Sequence, residues 1–165
     1  MSGGFLVPAV ETIERVFASG LLDSSRGAFA ETGADDRDID AEAMTLGCVM
    51  SPALRAVLRR WNGLDLDVLR IHSVAGAARR FRRMSAWQPT LDELPAGTYA
   101  FGSDPAGFAY LEAPDGRIYG WDHDGGEIEL LAPTFDFFIC EHVFGSKSES
   151  FLGPDWAAAV RTKLR

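Results

Sequence analysis

Residues 99–129 read YAFGSDPAGFAYLEAPDGRIYGWDHDGGEIE. Three clusters of turn residues cut this stretch into strand-length pieces: Ser103-Asp104-Pro105 with Gly107, then Pro114-Asp115-Gly116, then Asp122 to Gly126. Proline presets φ, glycine enters positive φ without a Cβ clash, and Asp side chains accept from nearby backbone amides, so each cluster has a mechanism for reversing the chain. The runs between and after them, Phe108–Leu111, Arg117–Trp121 and Ile128–Leu131, are aromatic and aliphatic and of ordinary strand length. Short links imply antiparallel neighbours. The centre of the chain is therefore expected to be a meander, with Phe108, Leu111, Ile118 and Leu130 in its core.

The flanks read mostly as helix. Pro8 precedes Val10, Ile13, Val16 and Phe17 at helical spacing, and Gly20 stops that pattern. The Gly-rich start before it is expected to fray. From Ser24 to Glu42 the acids Asp35, Asp36, Asp38 and Asp40 sit among Ser, Gly and Ala, which predicts a mobile acidic loop with at most a helical turn in it. Ser51 is a natural N-cap and Pro52 a natural first-turn residue for a helix carrying Leu54, Val57, Leu58 and Trp61, closed by Asn62-Gly63. Leu66–Ile71 reads as a first strand buried on both sides. Ser73 offers an N-cap for a second basic helix through Arg83, in which Arg79, Arg80, Arg82 and Arg83 surround Phe81. Its arginines read as a solvated face, with contact to an acidic ligand or subunit as the alternative. The prolines of Trp87–Pro95 predict irregular chain. Beyond the meander, Pro133-Thr134 opens a helix with Phe135, Phe138, Ile139 and Val143 on one side, and a tail helix within 150–165 is anchored by Trp156 and Val160.

The totals narrow the function classes. A chain of 165 residues with 47% apolar composition can bury a core as one domain, without metal or disulfide. Cys48 and Cys140 stand alone, in no metal-ligand or redox spacing, and read as small buried residues. No apolar run approaches the roughly 20 residues of a membrane helix, and residues 1–20 lack a secretory pattern, so a cytoplasmic protein is expected. The net charge of −8 argues against nucleic-acid binding, which relies on clustered Lys and Arg. It suits either plain solubility or a basic protein partner.

Three pieces in order, LRRWNGLDL (Leu58–Leu66), AFGSDPAGFAYLEAPDGRIYGWDHD (Ala100–Asp124) and PTFDFFI (Pro133–Ile139), resemble the SUKH superfamily. That group includes a fungal cell-wall-synthesis regulator and many bacterial immunity proteins. Trp61-Asn62-Gly63, Gly102-Ser103-Asp104, Gly107, Gly116 to Tyr119 and Trp121-Asp122-His123 occupy the places of its motifs. The likeness covers about residues 50–144; the acidic segment 24–42 and the tail beyond Gly145 match nothing in the pattern, and of a Leu-Pro entry motif only Ser51-Pro52 keeps the proline. The resemblance implies a single α+β domain, an antiparallel sheet of about five or six strands flanked by helices. It also implies a non-enzymatic role, as an immunity protein that binds and neutralises a cognate toxin or, alternatively, as a regulatory scaffold for an endogenous partner. The residues expected to meet a basic protein surface are Asp104, Asp115, Asp122 and Asp124 of the turns, the aromatics Tyr119 and Trp121, and Asn62 at the helix end.

Catalytic readings find little support. Asp122-His123-Asp124 could serve a metal-dependent hydrolase, but three adjacent residues of one turn rarely converge on one ion, and His72 and His142 lie in other elements. No nucleophile elbow or phosphate loop occurs. The expectation is no cofactor, no metal and no enzymatic activity, with neither nucleic acid nor membrane as partner.

Overall fold

The computed structural model describes residues 8–23, 29–30, 32–74 and 81–164; the Gly-rich start and the pair Arg79 and Arg80 lie outside them. Seven strands form one sheet in which each pairs antiparallel with the next along the chain. The meander supplies its four full strands: β4 (Tyr99–Ser103), β5 (Phe108–Glu112), β6 (Ile118–Asp122) and β7 (Ile128–Ala132). Three two-residue strands extend it: β1 (Phe29–Ala30), β2 (Leu64–Asp65) and β3 (Arg70–Ile71). The architecture is α+β as the sequence implies. The strand expected over Leu66–Ile71 is instead a tight hairpin. Asp67 takes a left-handed φ of 67° and its N–H donates to Asp65, so the chain doubles back and buries Leu66 and Leu69 in the turn.

Helices cover one face of the sheet. α1 (Ala9–Ser19) ends at left-handed Gly20, and the N–H of Ala9 donates to Asp136 across the fold. α3 (Pro52–Arg60) has the expected Ser51 cap, whose hydroxyl accepts from Leu54 N–H. The acidic segment departs from expectation: α2 (Asp36–Leu46) is a full helix of 11 residues. The acids that suggested a loop favour its start, because Asp35 caps Asp38 N–H and Asp36 and Asp38 meet the positive end of the helix dipole. Arg55 reaches Asp40 at 2.6 Å and Arg59 reaches Asp36 at 2.6 Å, while Ile39 and Ala43 face the core.

The helix expected from Ser73 is also absent at both of its described ends. Ser73 N–H donates to Arg82 O and Met84 N–H to Ser73 O, so the two ends pair as extended chain. Phe81 is buried rather than presented on a basic face, and its ring fills the space beside Gly63, where any Cβ would collide with it. The final helices form as read. Thr134 caps α4 (Phe135–Phe137), which widens into a π-helical turn over Phe138–Val143 and buries Phe138, Ile139, His142 and Val143 together. α5 (Ser148–Leu164) is broken at Leu152 and Gly153. Trp156 Nε1 donates to Val143 O and ties the tail back.

The two sheet faces carry separate clusters. On the helical side Tyr99, Phe101, Tyr110 and Ile118 join the main core, with Phe101 edge-on to Phe135 at 5.3 Å. On the outer side Ala100, Ala109 and Leu111 are covered by Trp87, Leu91 and Leu94 of the irregular segment, with Tyr119 and Trp121 beside them. Leu111 and Ile118 are core as expected, but Phe108 is 38% exposed and Leu130 54%. Phe108 lies on the helical face at a strand end, where the helical layer stops short, whereas Leu130 points to the outer face of the last strand, which among the described residues has a neighbour on one side alone.

Candidate functional site

A meander puts alternate turns at opposite ends, so the β2–β3, β4–β5 and β6–β7 turns share one end and the β5–β6 turn occupies the other. Strands of five residues separate the ends by about 17 Å. Asp104, Asp122 and Asp124 therefore fall together, joined by Asp65 and Asp67 from the hairpin that the sequence reading took for a strand. Asp115 falls at the far end, where it accepts from Arg117 N–H and pairs with the Arg117 guanidinium at 3.5 Å.

Contact between the adjacent turns is direct. The imidazole of His123 lies over Gly107, whose φ of 95° and lack of Cβ make room for it. Asp104 organises its own turn: Oδ1 accepts from Ala106 and Phe108 N–H, and Oδ2 accepts from the Tyr110 hydroxyl at 3.0 Å. Burial, with Asp104 beside it, holds the Tyr110 phenol well above its usual range, so the hydroxyl remains a donor. Asp122 Oδ1 accepts from Asp124 N–H, and Asp124 is 83% exposed on its side chain, with its carboxylate 3.0 Å from His123 Nε2.

Tyr119 and Trp121 project from the outer face, half-buried, and the Trp121 ring lies 6.0 Å from that of Trp87. Asn62 turns inward. It is 4% exposed, and its amide oxygen accepts from Val74 N–H at 2.8 Å, so it fastens the end of α3 to the chain after β3.

Two depressions flank Asp104. A smaller one of about 250 Å³ is bounded by Asp65, Asp67 and Arg70, with Arg70 held to Asp65 at 2.7 Å. A larger groove of about 640 Å³ runs along the helical face between the sheet and the broken part of α5. Its walls are Phe108, Tyr110, Leu131, Phe151 and Leu152, its rim carries Asp104, Asp122, Glu127 and Glu129, and among the described residues no Lys or Arg lines it. Gly120 pairs with Tyr110 and Glu129, so the position between them has no side chain and the groove stays open. Sequence reasoning missed Glu127, Glu129, His142, Phe151 and Leu152. Two signals were present: a glycine inside a strand marks a place of close approach or open space, and a charge within Ile128–Leu131 marks an edge strand.

The remaining chemistry is muted. Ligand atoms of Asp122, His123 and Asp124 lie within 4.8 Å of one another, but all three belong to a single turn already engaged in its own hydrogen bonds. Elemental analysis of purified protein is expected to give well under one zinc or manganese per chain. Asp122→Asn, His123→Gln and Asp124→Asn combined should leave that value unchanged; a stoichiometric metal lost in this variant would make the turn a metal site. Burial, then the Glu112 and Glu42 carboxylates, push the Cys48 thiol up to about 12, which keeps it protonated and unreactive. His72 is buried between β3 and β4 with Nε2 3.0 Å from Ser103 Oγ; burial, with Arg82 and Arg70 near it, lowers it to about 4, so it is neutral.

No helix among the described residues is long and apolar enough to cross a membrane. Among curated proteins none matches the chain. The model of the SMI1/KNR4 family (SUKH-1) matches residues 33–141, well over half the chain and including α2, so the chain belongs to this family, whose domains are in general non-enzymatic immunity or regulatory domains that interact with proteins.

Proposed function

We propose that this protein is an immunity protein that binds a cognate toxin through a basic patch on the toxin and neutralises it without chemistry of its own. The reading is carried by one observation: three turns gather Asp67, Asp104, Asp122 and Asp124 at one end of the sheet, on either side of two depressions. Elsewhere several acids hold arginines, as in Asp40 with Arg55, Glu14 with Arg60 and Glu42 with Arg83, whereas Asp104, Asp122 and Asp124 pair with no Lys or Arg among the described residues. Clustered like charge raises association rates with an oppositely charged partner. Tyr119 and Trp121 lie on the outer face, and in this reading they extend the contact around the sheet end. Asp115 and Asn62 stay outside it.

The test is to sequence the genes beside this one and to measure protection and binding against any toxin they encode. Asp104→Asn would disturb its own turn, so the informative substitutions are Asp67→Asn, which suits the left-handed φ there, with Asp124→Asn and Glu127→Gln. Together they should slow association about tenfold at low salt. The difference should shrink to about twofold near 0.5 M salt, where the screening length falls to a few ångströms. Dissociation should change little, since rim charges act mainly on encounter. Rates indifferent to the three changes and to salt would leave the acids as a solubility feature, and a neighbouring toxin neither bound nor neutralised would remove the immunity reading.

A further inference from the structure

Among the described residues the sheet ends at β7, and no strand pairs with its outer edge. β7 pairs with β6 alone, and among the described residues the backbone of Ile128–Ala132 makes no bond outside that pairing. An exposed row of N–H and C=O groups is a template for another strand. Leu130, half exposed on the outer face, pairs with Tyr119, while Glu129 and Leu131 lie on the helical face beside the groove.

The groove runs beneath this edge, so an added strand would alternate its side chains between two different surroundings. Outward residues would meet Leu130 and Ile128. Inward residues would meet Leu131, Phe151 and Leu152, with Glu129 and Glu127 at the rim. At the floor stands His142, 8% exposed, stacked on Phe138 at 5.6 Å and edge-on to Phe151 at 5.4 Å. Its ring lines the groove. Burial lowers its basicity despite Glu129 nearby, so it adds no positive charge to an acidic groove.

We infer that β7 docks an extended segment of the protein partner, rich in alternating apolar and basic residues, as an eighth antiparallel or parallel strand whose inward apolar side chain enters the groove. Charge selects this occupant. A second copy of the chain would bring one edge carrying Glu127 and Glu129 alongside the same acidic edge on a molecule of net charge −8, whereas Lys or Arg beside the apolar anchor would meet Asp122, Glu127 and Glu129. The inference rests on the reading above that the partner is a protein with a basic surface, and it adds the mode of contact.

The probe is a phage library of random linear 12-residue peptides panned on the full chain, followed by synthesis of the enriched sequences. The expected result is enrichment of alternating apolar and basic residues. Glu129→Lys should weaken such a peptide at least tenfold, and Leu152→Ser, at a half-exposed position that leaves the core intact, about fivefold. Backbone N-methylation at every second residue should abolish binding in one register and spare it in the other. Peptide binding should slow amide exchange of Ile128–Ala132 at least tenfold. No enrichment, acidic consensus sequences, binding indifferent to Glu129→Lys, or unchanged exchange at β7 would overturn the inference, as would a dimer in sedimentation that Glu129→Lys disrupts or strengthens. Toxin protection without peptide binding would remove the edge and keep the immunity role. Peptide binding without protection would do the reverse.

Discussion

Ile118→Asp is expected to unfold or nearly unfold the protein, while Leu130→Asp, twelve residues on, melts within a few degrees of the parent. Both side chains are aliphatic and both sit in strands of the meander, and only their surroundings separate them. Ile118 is fully buried on the helical face of β6, and its direct cross-strand partner is the buried carboxyl of Glu112. Opposed residues in an antiparallel pair hold their Cβ atoms about 5 Å apart, so the new carboxylate would lose its water and face a second acid at once. An unpaired buried charge costs several kcal/mol before that repulsion is added, a large share of the roughly 5–15 kcal/mol that holds a domain together. At about 2–4 °C per kcal/mol for a chain of this size, a fall of 15 °C or more is expected. Leu130 faces solvent on the edge strand, where an Asp keeps its water. Equal melting temperatures for the two variants would mean that the sheet faces are assigned the wrong way round.

The contrast also marks what the sequence could and could not convey. The turn clusters at Ser103-Asp104-Pro105, Pro114-Asp115-Gly116 and Asp122 to Gly126 act through local backbone chemistry, so they and the strands between them are legible directly. The helices over Ala9–Ser19 and Pro52–Arg60 are legible for the same reason, through spacing, cap and stop signal. α2 was obscured because its stabilisation is distant: Asp36 and Asp40 read as a solvated acidic run until Arg55 and Arg59 are brought alongside by α3. The stretch around Phe81 failed in the opposite sense. Its arginines suggest a helical face, but the position of Phe81 is fixed by the pocket at Gly63, far away in sequence. For the candidate site, the acidic turns were visible residue by residue, while their division between two ends follows from strand order and splits Asp115 from its companions. The groove was invisible, because it exists where α5 breaks at Leu152 and Gly153 above a strand glycine, and no local signal relates Leu152 to Gly120.

The acidic end and the buried acids serve different purposes. Asp124 stands in solvent and Asp67 is half-buried at the tip of its hairpin, and both are available for encounter. Glu42 and Glu112 are buried and engaged: Glu42 accepts from Ser85 N–H and from Arg83, linking α2 to the turn before the irregular segment. Glu112 connects the entry of α3 to the sheet. Removing acids from the two sets should therefore separate binding from folding.

Glu112→Ala is the second substitution with a large expected effect, and Glu112→Gln is its control. The buried carboxylate accepts three hydrogen bonds, from Ser51 N–H at 2.8 Å, Ser51 Oγ at 2.7 Å and the Tyr99 hydroxyl at 2.7 Å. Alanine leaves those donors facing a cavity, and an unsatisfied buried donor costs about 1–3 kcal/mol. A total near 3 kcal/mol is expected once Ser51, which is half exposed, recovers some water, or about 10 °C in melting temperature. Glutamine keeps the oxygen that accepts from both Ser51 N–H and the Tyr99 hydroxyl and offers its amide N–H to the Ser51 hydroxyl in place of the other oxygen, so its loss at neutral pH should be about 1 kcal/mol or less. The pH dependence distinguishes this account from simple cavity formation. Burial raises the Glu112 carboxyl above its ordinary value of 4.5, against the opposing pull of its hydrogen bonds to Ser51 and Tyr99. A folded-state pKa above the unfolded one contributes stability that is fully present below the unfolded value and lost as pH rises through the folded one. The neighbouring phenol of Tyr99 stays protonated throughout, held well above its usual range by burial and by this same carboxylate. Stability measured by denaturant from pH 4 to 8 should therefore fall with rising pH in the wild type relative to Glu112→Gln, beginning above about 4.5 and levelling off once the carboxyl is ionised. A wild-type advantage that widens with pH would mean that the three donors outweigh burial, and that Glu112 folds as a stabilised anion.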